Sequence, residues 1–254
     1  MPLVNFRDSA VLADPAGRWI RRGVLFRSAQ PFPAADAAVV ARLREHGIAT
    51  IADLRGARES EPADWAAAEL AGVDVVAARI EPDGNALDGA LRAIATDADL
   101  GAFYLLMAES TTRGLAVAVE AAARPGGVLV HCAAGKDRTG LLTALLLDLL
   151  GVPADGIVAD YARTNDAIQA IRAGLADRNR AALNEIGADG FTVPAPLLEA
   201  PADAMSAFLE RLHARYGGAA AFLAAAGVAA ETLDAFRAKA AARAGAVEVT
   251  ACRP

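Results

Sequence analysis

The residues His131-Cys132-Ala133-Ala134-Gly135-Lys136-Asp137-Arg138-Thr139-Gly140 bring a thiol, two cations, a carboxylate and a hydroxyl together within ten positions. An apolar run of strand type, Val128 to Val130, leads in, and a helix-like apolar segment, Leu141 to Leu150, follows. A loop at the C-terminal end of a strand that opens into a helix turns successive backbone N–H groups inward, and the helix N-terminus adds positive potential. Such a loop is an anion cradle. Ala133, Ala134 and Gly135 are small enough for the backbone to curl around a tetrahedral oxyanion, and Arg138 can close the ring with a bidentate fork. Cys132 then lies at the bottom, aimed at the central atom of the anion. The field that holds a phosphate also favours a thiolate over a thiol, so Cys132 is expected to act as a nucleophile. In-line attack would give a phosphocysteine that water later hydrolyses, which splits one hard step into two easier ones. Thr139 is expected to cap the helix and to hydrogen-bond the sulfur as it leaves. His131 is expected to brace the loop through its ring nitrogens rather than to act as a base.

Strands and helices that alternate along the chain must position this loop. Gly23–Pro31 reads as a short strand ended by proline, and Pro33–Gly47 as an amphipathic helix stopped by glycine. Ile48–Leu54 has the apolar density of a buried strand, Pro62–Gly72 reads as a helix, and Val73–Arg79 as another strand. Ile80–Ala90, rich in Pro, Gly, Asn and Asp, reads as a surface loop. One helical stretch from about Leu100 to Ala123 then precedes the strand that ends at His131. This alternation predicts an α/β fold with a central, mostly parallel sheet flanked by helices. From Pro153 to Gly245 the pattern is helical without a convincing strand. One domain over 1–254 is expected, with 153–200 as a helical layer behind the sheet or a lid over the site, and 201–245 as C-terminal helices.

Composition narrows the function classes. The 254 residues carry a formal net charge of −6, so no global positive field recruits nucleic acid or anionic lipid, and anion binding must be local. Cys132 and Cys252 form no disulfide framework, which suggests a reducing compartment. The N-terminal segment lacks the apolar core of a signal peptide, and no apolar run approaches the roughly 20 residues of a membrane span. A cytoplasmic protein without integral membrane association is expected, and export by a non-classical route would leave no mark in the sequence. His46 and His213 lie in helical segments without ligand-like company, so no metal is expected.

The cysteine, five intervening residues and Arg138-Thr139-Gly140, preceded by His131, resemble the signature of the cysteine-dependent protein tyrosine phosphatases. With Gly135-Lys136-Asp137-Arg138, the loop is similar to that of the bacterial tyrosine phosphatases of combined phosphoprotein and phosphoinositide activity, a group with mycobacterial members. Asn5–Asp8, Gly23–Ala29, Ile51–Glu59, Pro82-Asp83, Ile157–Asp166 and Tyr216–Val228 are similar to segments of that family in the same order. The resemblance thus covers nearly the whole chain. It implies a protein tyrosine phosphatase-like fold, a cofactor-free phosphoric monoester hydrolase, and phosphotyrosine proteins or peptides as partners. A cysteine and arginine at this spacing also occur in sulfur transferases and arsenate reductases, but His131 and Thr139-Gly140 favour the phosphatase. A non-catalytic module that captures phosphorylated partners is the alternative of a different class.

Two carboxylates compete for the proton that the leaving oxygen needs. Asp83 follows the third strand and matches the general-acid position by resemblance. Asp137 lies in the cradle itself, where it could serve catalysis or orient Arg138 and water. Lys136 is a further departure from an ordinary tyrosine phosphatase loop. As a second cation at the rim it would favour substrates with additional phosphates, and similar lysines occur in phosphoinositide phosphatases. Arg55 and Arg58 are placed equally by substrate contact, with Arg58 the candidate for the site, and by ion pairing to Glu59 or Glu61 at a helix start.

Overall fold

The computed structural model describes residues 3–81, 85–178 and 193–241. A two-residue strand β1 (Arg7–Asp8) and a single turn of helix α1 (Ala10–Ala13) precede β2 (Leu25–Ala29), α2 (Ala37–Glu45), β3 (Ile48–Asp53), α3 (Ala66–Leu70) and β4 (Asp74–Ala77). Helices α4 (Asn85–Arg92), α5 (Asp97–Ser110) and α6 (Thr112–Ala123) lead to β5 (Gly127–Cys132), which runs through the loop into α7 (Asp137–Leu149). The described chain then continues through α8 (Ala154–Ala162), α9 (Ile168–Arg178), α10 (Ala202–Tyr216), α11 (Ala219–Ala225) and α12 (Ala230–Ala240), with 3-10 turns at Arg163–Ala167 and Ala195–Leu198.

The strands lie in the order β1-β2-β5-β3-β4. β2, β5, β3 and β4 run parallel, and only β1 is antiparallel to its neighbour β2. β5 is therefore the central strand, and the crevice beyond its C-terminal end is where α/β sheets of this kind bind ligands. Register places Ala29 of β2 beside Cys132 and Asp53 of β3 beside His131. The loops after β2 and β3 thus flank the cysteine.

Alternation along β5 separates two cores, because successive side chains point to opposite faces. Val128, Val130 and Cys132 join the larger core with α5–α8 and the C-terminal helices, whereas Leu129 joins a smaller one with α2 and α3. His131 falls on the smaller side, against Trp65. Close approaches of the larger layer require glycine. A Cβ on Gly101 of α5 would lie 2.6 Å from the Ala204 carbonyl oxygen of α10. Among the described residues no helix is long and apolar enough to cross a membrane.

The four strands expected from apolar runs are present, and the described chain after α7 is helical. Other expectations need correction. Ile80–Ala90 is not loop throughout, since α4 begins at Asn85. The stretch to Ala123 is broken at Thr111, whose backbone leaves the helical region at φ −126° and ψ 31°, so α5 and α6 are separate helices. Helix α3 starts at Ala66 rather than near Pro62, because Glu61–Asp64 closes a turn in which the Glu61 N–H donates to the Asp64 carboxylate at 3.0 Å. β1 is not foreshadowed in the sequence, because its two half-buried polar residues carry no apolar signal.

Candidate active site

Cys132 ends β5, is 2% exposed and has a free thiol. The loop above it bends at Gly135, whose φ of +65° is left-handed. A Cβ there would lie 2.2 Å from the Ser28 carbonyl oxygen, so only glycine fits. Its carbonyl accepts from Asn5 Nδ2 at 3.0 Å and from Arg27 Nη2 at 3.0 Å. Because the peptide is planar and trans, pinning this carbonyl outward turns the N–H of Lys136 the other way, into the loop.

Both donors are themselves held. Asn5 takes φ +60°, a conformation that asparagine tolerates, and its amide oxygen accepts from Arg7 Nη1. Arg7 Nε and Arg27 Nη1 share the buried Asp160 carboxylate of α8 at 3.0 and 2.6 Å. Arg7 also reaches the Asp160 carbonyl at 2.6 Å and Thr164 Oγ1 at 3.2 Å. Two guanidinium groups against one carboxylate leave net positive charge directly behind the loop. The segments around Asn5, Arg27 and Asp160, far apart in sequence, therefore meet at one carbonyl.

Arg138, the second residue of α7, donates from Nη1 and Nη2 to the two oxygens of Glu59 at 2.6 and 2.7 Å. Glu59 Oε2 also accepts from the Gly56 N–H at 2.8 Å. Burial opposes both charges, and the paired hydrogen bonds overcome it. Glu59 is held below the ordinary carboxyl value, and Arg138, with Cys132 and Asp137 adding to the effect, above its own. Thr139 lies one position further into α7, so it does not cap that helix as expected. Its hydroxyl is buried and has no hydrogen-bond partner among the described residues. Ala133 and Ala134, half-buried, form the more open part of the loop.

His131 is fully buried; its Nε2 accepts from Trp65 Nε1–H at 2.9 Å, and its Nδ1 faces the Cys132 carbonyl at 3.2 Å. Burial lowers its pKa, and the indole donor requires a lone pair on Nε2, so the ring is neutral with its proton on Nδ1. Arg55 is buried in a network with Asp53 Oδ2 at 2.6 Å, Asp64 Oδ2 at 2.8 Å and Gln30 Oε1 at 2.8 Å. It is committed to structure rather than to substrate, and its carboxylate partners are not the expected Glu59 or Glu61. Arg58 is exposed and makes no ion pair among the described residues. Neither arginine begins a helix.

Lys136 is 4% exposed, and its Nζ lies 3.0 Å from the Leu197 carbonyl oxygen, 2.9 Å from that of Glu199 and 2.9 Å from Asp137 Oδ1. Its ammonium thus ties the turn at Ala195–Leu198 to the loop instead of standing free at the rim. The preceding α9 is laid on the β2–α2 connection. Arg178 reaches the Pro33 carbonyl at 2.9 Å and Asp64 Oδ1 at 2.7 Å, and a Cβ on Gly174 would meet the Phe32 ring at 2.7 Å. Asp137 Oδ1 also accepts from the Tyr104 hydroxyl of α5 at 2.6 Å. Asp83 and residues 179–192 of the expected lid region lie outside the described residues. Among the described residues no cluster of His, Cys, Asp and Glu has the makings of a metal site.

Composition and spacing did not single out Glu59 as the partner of Arg138, nor Asn5, Arg27, Tyr104, Asp160 and Tyr161 as neighbours of the loop. Asn5, Arg27, Glu59, Asp160 and Tyr161 lie in segments similar in order to a known family, Glu59 being also a candidate ion-pair partner of Arg55 and Arg58, whereas Tyr104 carries no signal beyond its helical stretch.

Comparison with known proteins adds an independent line. Residues 2–242 match the family model described as the tyrosine phosphatase family. A Cupriavidus necator protein, provisionally named a tyrosine-protein phosphatase, is 34% identical over 222 residues, which cover 84% of this chain and 77% of that protein. The triple specificity protein phosphatase PtpB of Mycobacterium tuberculosis is 29% identical over 269 aligned positions, covering 92% and 95% of the two chains. The crystal structure of TpbA from Pseudomonas aeruginosa aligns over 64% of this chain and 87% of its own, at a TM-score of 0.32 and 22% identity. With residues 2–242, almost its full length, matching that family model, the chain belongs to the tyrosine phosphatase family.

Proposed function

We propose that the protein hydrolyses phosphate monoesters, with phosphotyrosine as its substrate class, through a phosphocysteine on Cys132. The observation that carries this reading is the placement of Cys132 at the end of the central strand, beneath a loop whose Gly135 carbonyl is pinned outward by Asn5 and Arg27. The amides turned inward, the N-terminus of α7 and Arg138 would hold three phosphate oxygens. Cys132 Sγ would attack phosphorus in line, the P–O bond to the ester oxygen would break, and that oxygen would take a proton. Water would then attack the phosphocysteine and release inorganic phosphate and the thiolate. The Thr139 hydroxyl, which has no hydrogen-bond partner among the described residues, is suited to donate to the departing sulfur. His131 keeps its bracing role, since Trp65 and the Cys132 carbonyl occupy both ring nitrogens.

The reading favours phosphotyrosine over phosphoinositides because, beside the family resemblance, the chemical argument for the latter is Lys136 as a second cation at the rim, and that ammonium is committed to the Leu197 and Glu199 carbonyls. A panel of phosphotyrosine, phosphoserine and phosphoinositide substrates under identical conditions tests that ranking; faster turnover of the inositol lipids would reverse it. The chemistry itself is tested with p-nitrophenyl phosphate. Wild type should turn over, Cys132→Ser should lose essentially all activity while it remains folded and still binds phosphate, and more than a few per cent residual turnover would falsify the covalent route.

A further inference from the structure

Two tyrosines outside the loop end on it. Tyr104 of α5 and Tyr161 of α8 are both fully buried, with their hydroxyl oxygens 2.8 Å apart. The Tyr104 hydroxyl hydrogen goes to Asp137 Oδ1, so Tyr161 donates to the Tyr104 oxygen, and the two form a directed chain that strengthens its last bond. Burial first, and then the Asp137 charge, push both phenols above their ordinary value, so both remain donors. Packing fixes the chain. The Tyr104 ring meets Phe208 edge-on at 6.4 Å, and the Tyr161 ring lies so close to α7 that a Cβ on Gly140 would be 2.7 Å from it.

Tyr104 and Lys136 both meet Asp137 at Oδ1, whereas no described residue hydrogen-bonds Oδ2. The Asp137 side chain is 28% exposed, so the unused oxygen belongs to a carboxylate that solvent reaches. A carboxylate held by one oxygen offers the other as an acceptor in a fixed direction. Donors on Oδ1 also suit a group that must accept a proton better than one that must arrive already protonated.

We propose that Tyr104, backed by Tyr161, is a positioning residue that holds Asp137 so that Oδ2 receives the proton of the water that hydrolyses the phosphocysteine. The inference rests on the phosphocysteine reading above. In this step the water oxygen forms the new bond to phosphorus, the P–S bond breaks, its electron pair returns to Cys132 Sγ, and the water proton passes to Asp137 Oδ2. Phosphate leaves and Asp137 releases the proton to solvent. The phenols touch no substrate atom and act only through Asp137.

In a two-step reaction kcat/KM reports events up to formation of the phosphocysteine, whereas kcat includes its hydrolysis. Tyr104→Phe, which deletes one hydroxyl, should therefore lower kcat for p-nitrophenyl phosphate roughly five- to twentyfold and lower KM in step, with kcat/KM unchanged. A burst of about one nitrophenol per active site should accompany it. The double variant Tyr104→Phe/Tyr161→Phe leaves no buried phenol without a partner, so it carries the same test if the single variant is poorly folded by circular dichroism. Adding Tyr104→Phe to Asp137→Asn should change kcat no further. An unchanged kcat in a folded variant, or kcat/KM falling together with kcat, would overturn the assignment. Wild type no faster than Cys132→Ser would instead sink the phosphocysteine reading itself, which keeps the two failures distinct.

Discussion

Arg138 would hold the phosphate with a guanidinium whose direction is set before substrate arrives. A bidentate carboxylate partner fixes the plane of the fork as well as its position, and the Gly56 N–H on Glu59 Oε2 fixes the carboxylate in turn. Glu59→Gln keeps the size but removes the charge and one acceptor. Charge-assisted hydrogen bonds contribute about 1.5–3 kcal/mol when shielded, and the 39% exposure of the Glu59 side chain reduces that share here. A roughly three- to tenfold rise in KM and in the inhibition constant of inorganic phosphate is expected, with a smaller change in kcat. Equal phosphate affinity in wild type and variant would show that Glu59 does not orient the fork. The cysteine-to-arginine spacing was legible in the sequence because the loop is local, with all its parts within one strand–turn–helix unit. Glu59 was legible only as a charge near Arg55 and Arg58. Nothing along the chain indicates that Arg55 turns inward to Asp53 and Asp64, leaving Glu59 to a residue nearly 80 positions away.

Among the elements, β1, β2 and α8 supply one device, the clamp on the Gly135 carbonyl. Arg27 carries most of it, because its guanidinium bridges Asp160 and the loop with no solvent contact. Arg27→Met should leave a buried Asp160 with Arg7 alone and the carbonyl with Asn5 alone. Breaking a buried pair in this way costs about 3–5 kcal/mol, which at this chain size lowers the thermal midpoint by roughly 10 °C. Activity should fall more than stability accounts for. Asn5→Gly separates the two effects: glycine suits the left-handed backbone, the Arg27–Asp160 pair remains, and one donor to the loop is lost. A fall in kcat/KM with a midpoint lowered by only a few degrees is expected, and a midpoint shift as large as that of Arg27→Met would mean that the side chain serves folding alone. Apolar runs made β2, β3, β4 and β5 readable, as the core faces of a sheet should be. β1 was not readable, because it exists to carry Asn5 and Arg7 to a long-range contact, and such contacts leave no local period.

Over the whole molecule, the groups that build the site also set the range of pH in which it stays folded. His131 lies below its ordinary value through burial; Asp53 lies below its own because His131 first and then Arg55 outweigh burial, and Glu59 because Arg138 does. For all three the unfolded chain takes up protons first as acid is added, so folding stability falls with pH. The histidine share begins to be lost below about 6.5 and the carboxylate share below about 4.5. Tyr104 and Tyr161 act on the other side. Burial raises both phenols, so the folded chain keeps protons that the unfolded chain releases, and their contribution is complete below about 10 and lost as pH rises beyond it. Lys239, which burial lowers to about 8, has the opposite sign: the unfolded chain holds that proton longer, so stability rises between about 8 and 10.5. The thermal midpoint measured against pH should therefore show an acid flank starting near 6.5, a rise from about 8 as Lys239 contributes, and an alkaline flank starting near 10. In Tyr104→Phe/Tyr161→Phe the alkaline flank should largely disappear while the acid flank keeps its position, since His131, Asp53 and Glu59 are untouched. Tyr216, whose hydroxyl donates to Glu109, accounts for any small remainder. An alkaline flank of full size in the double variant would mean that the two phenols do not hold their protons in the folded state, and the hydrogen-bond chain to Asp137 would lose its donor.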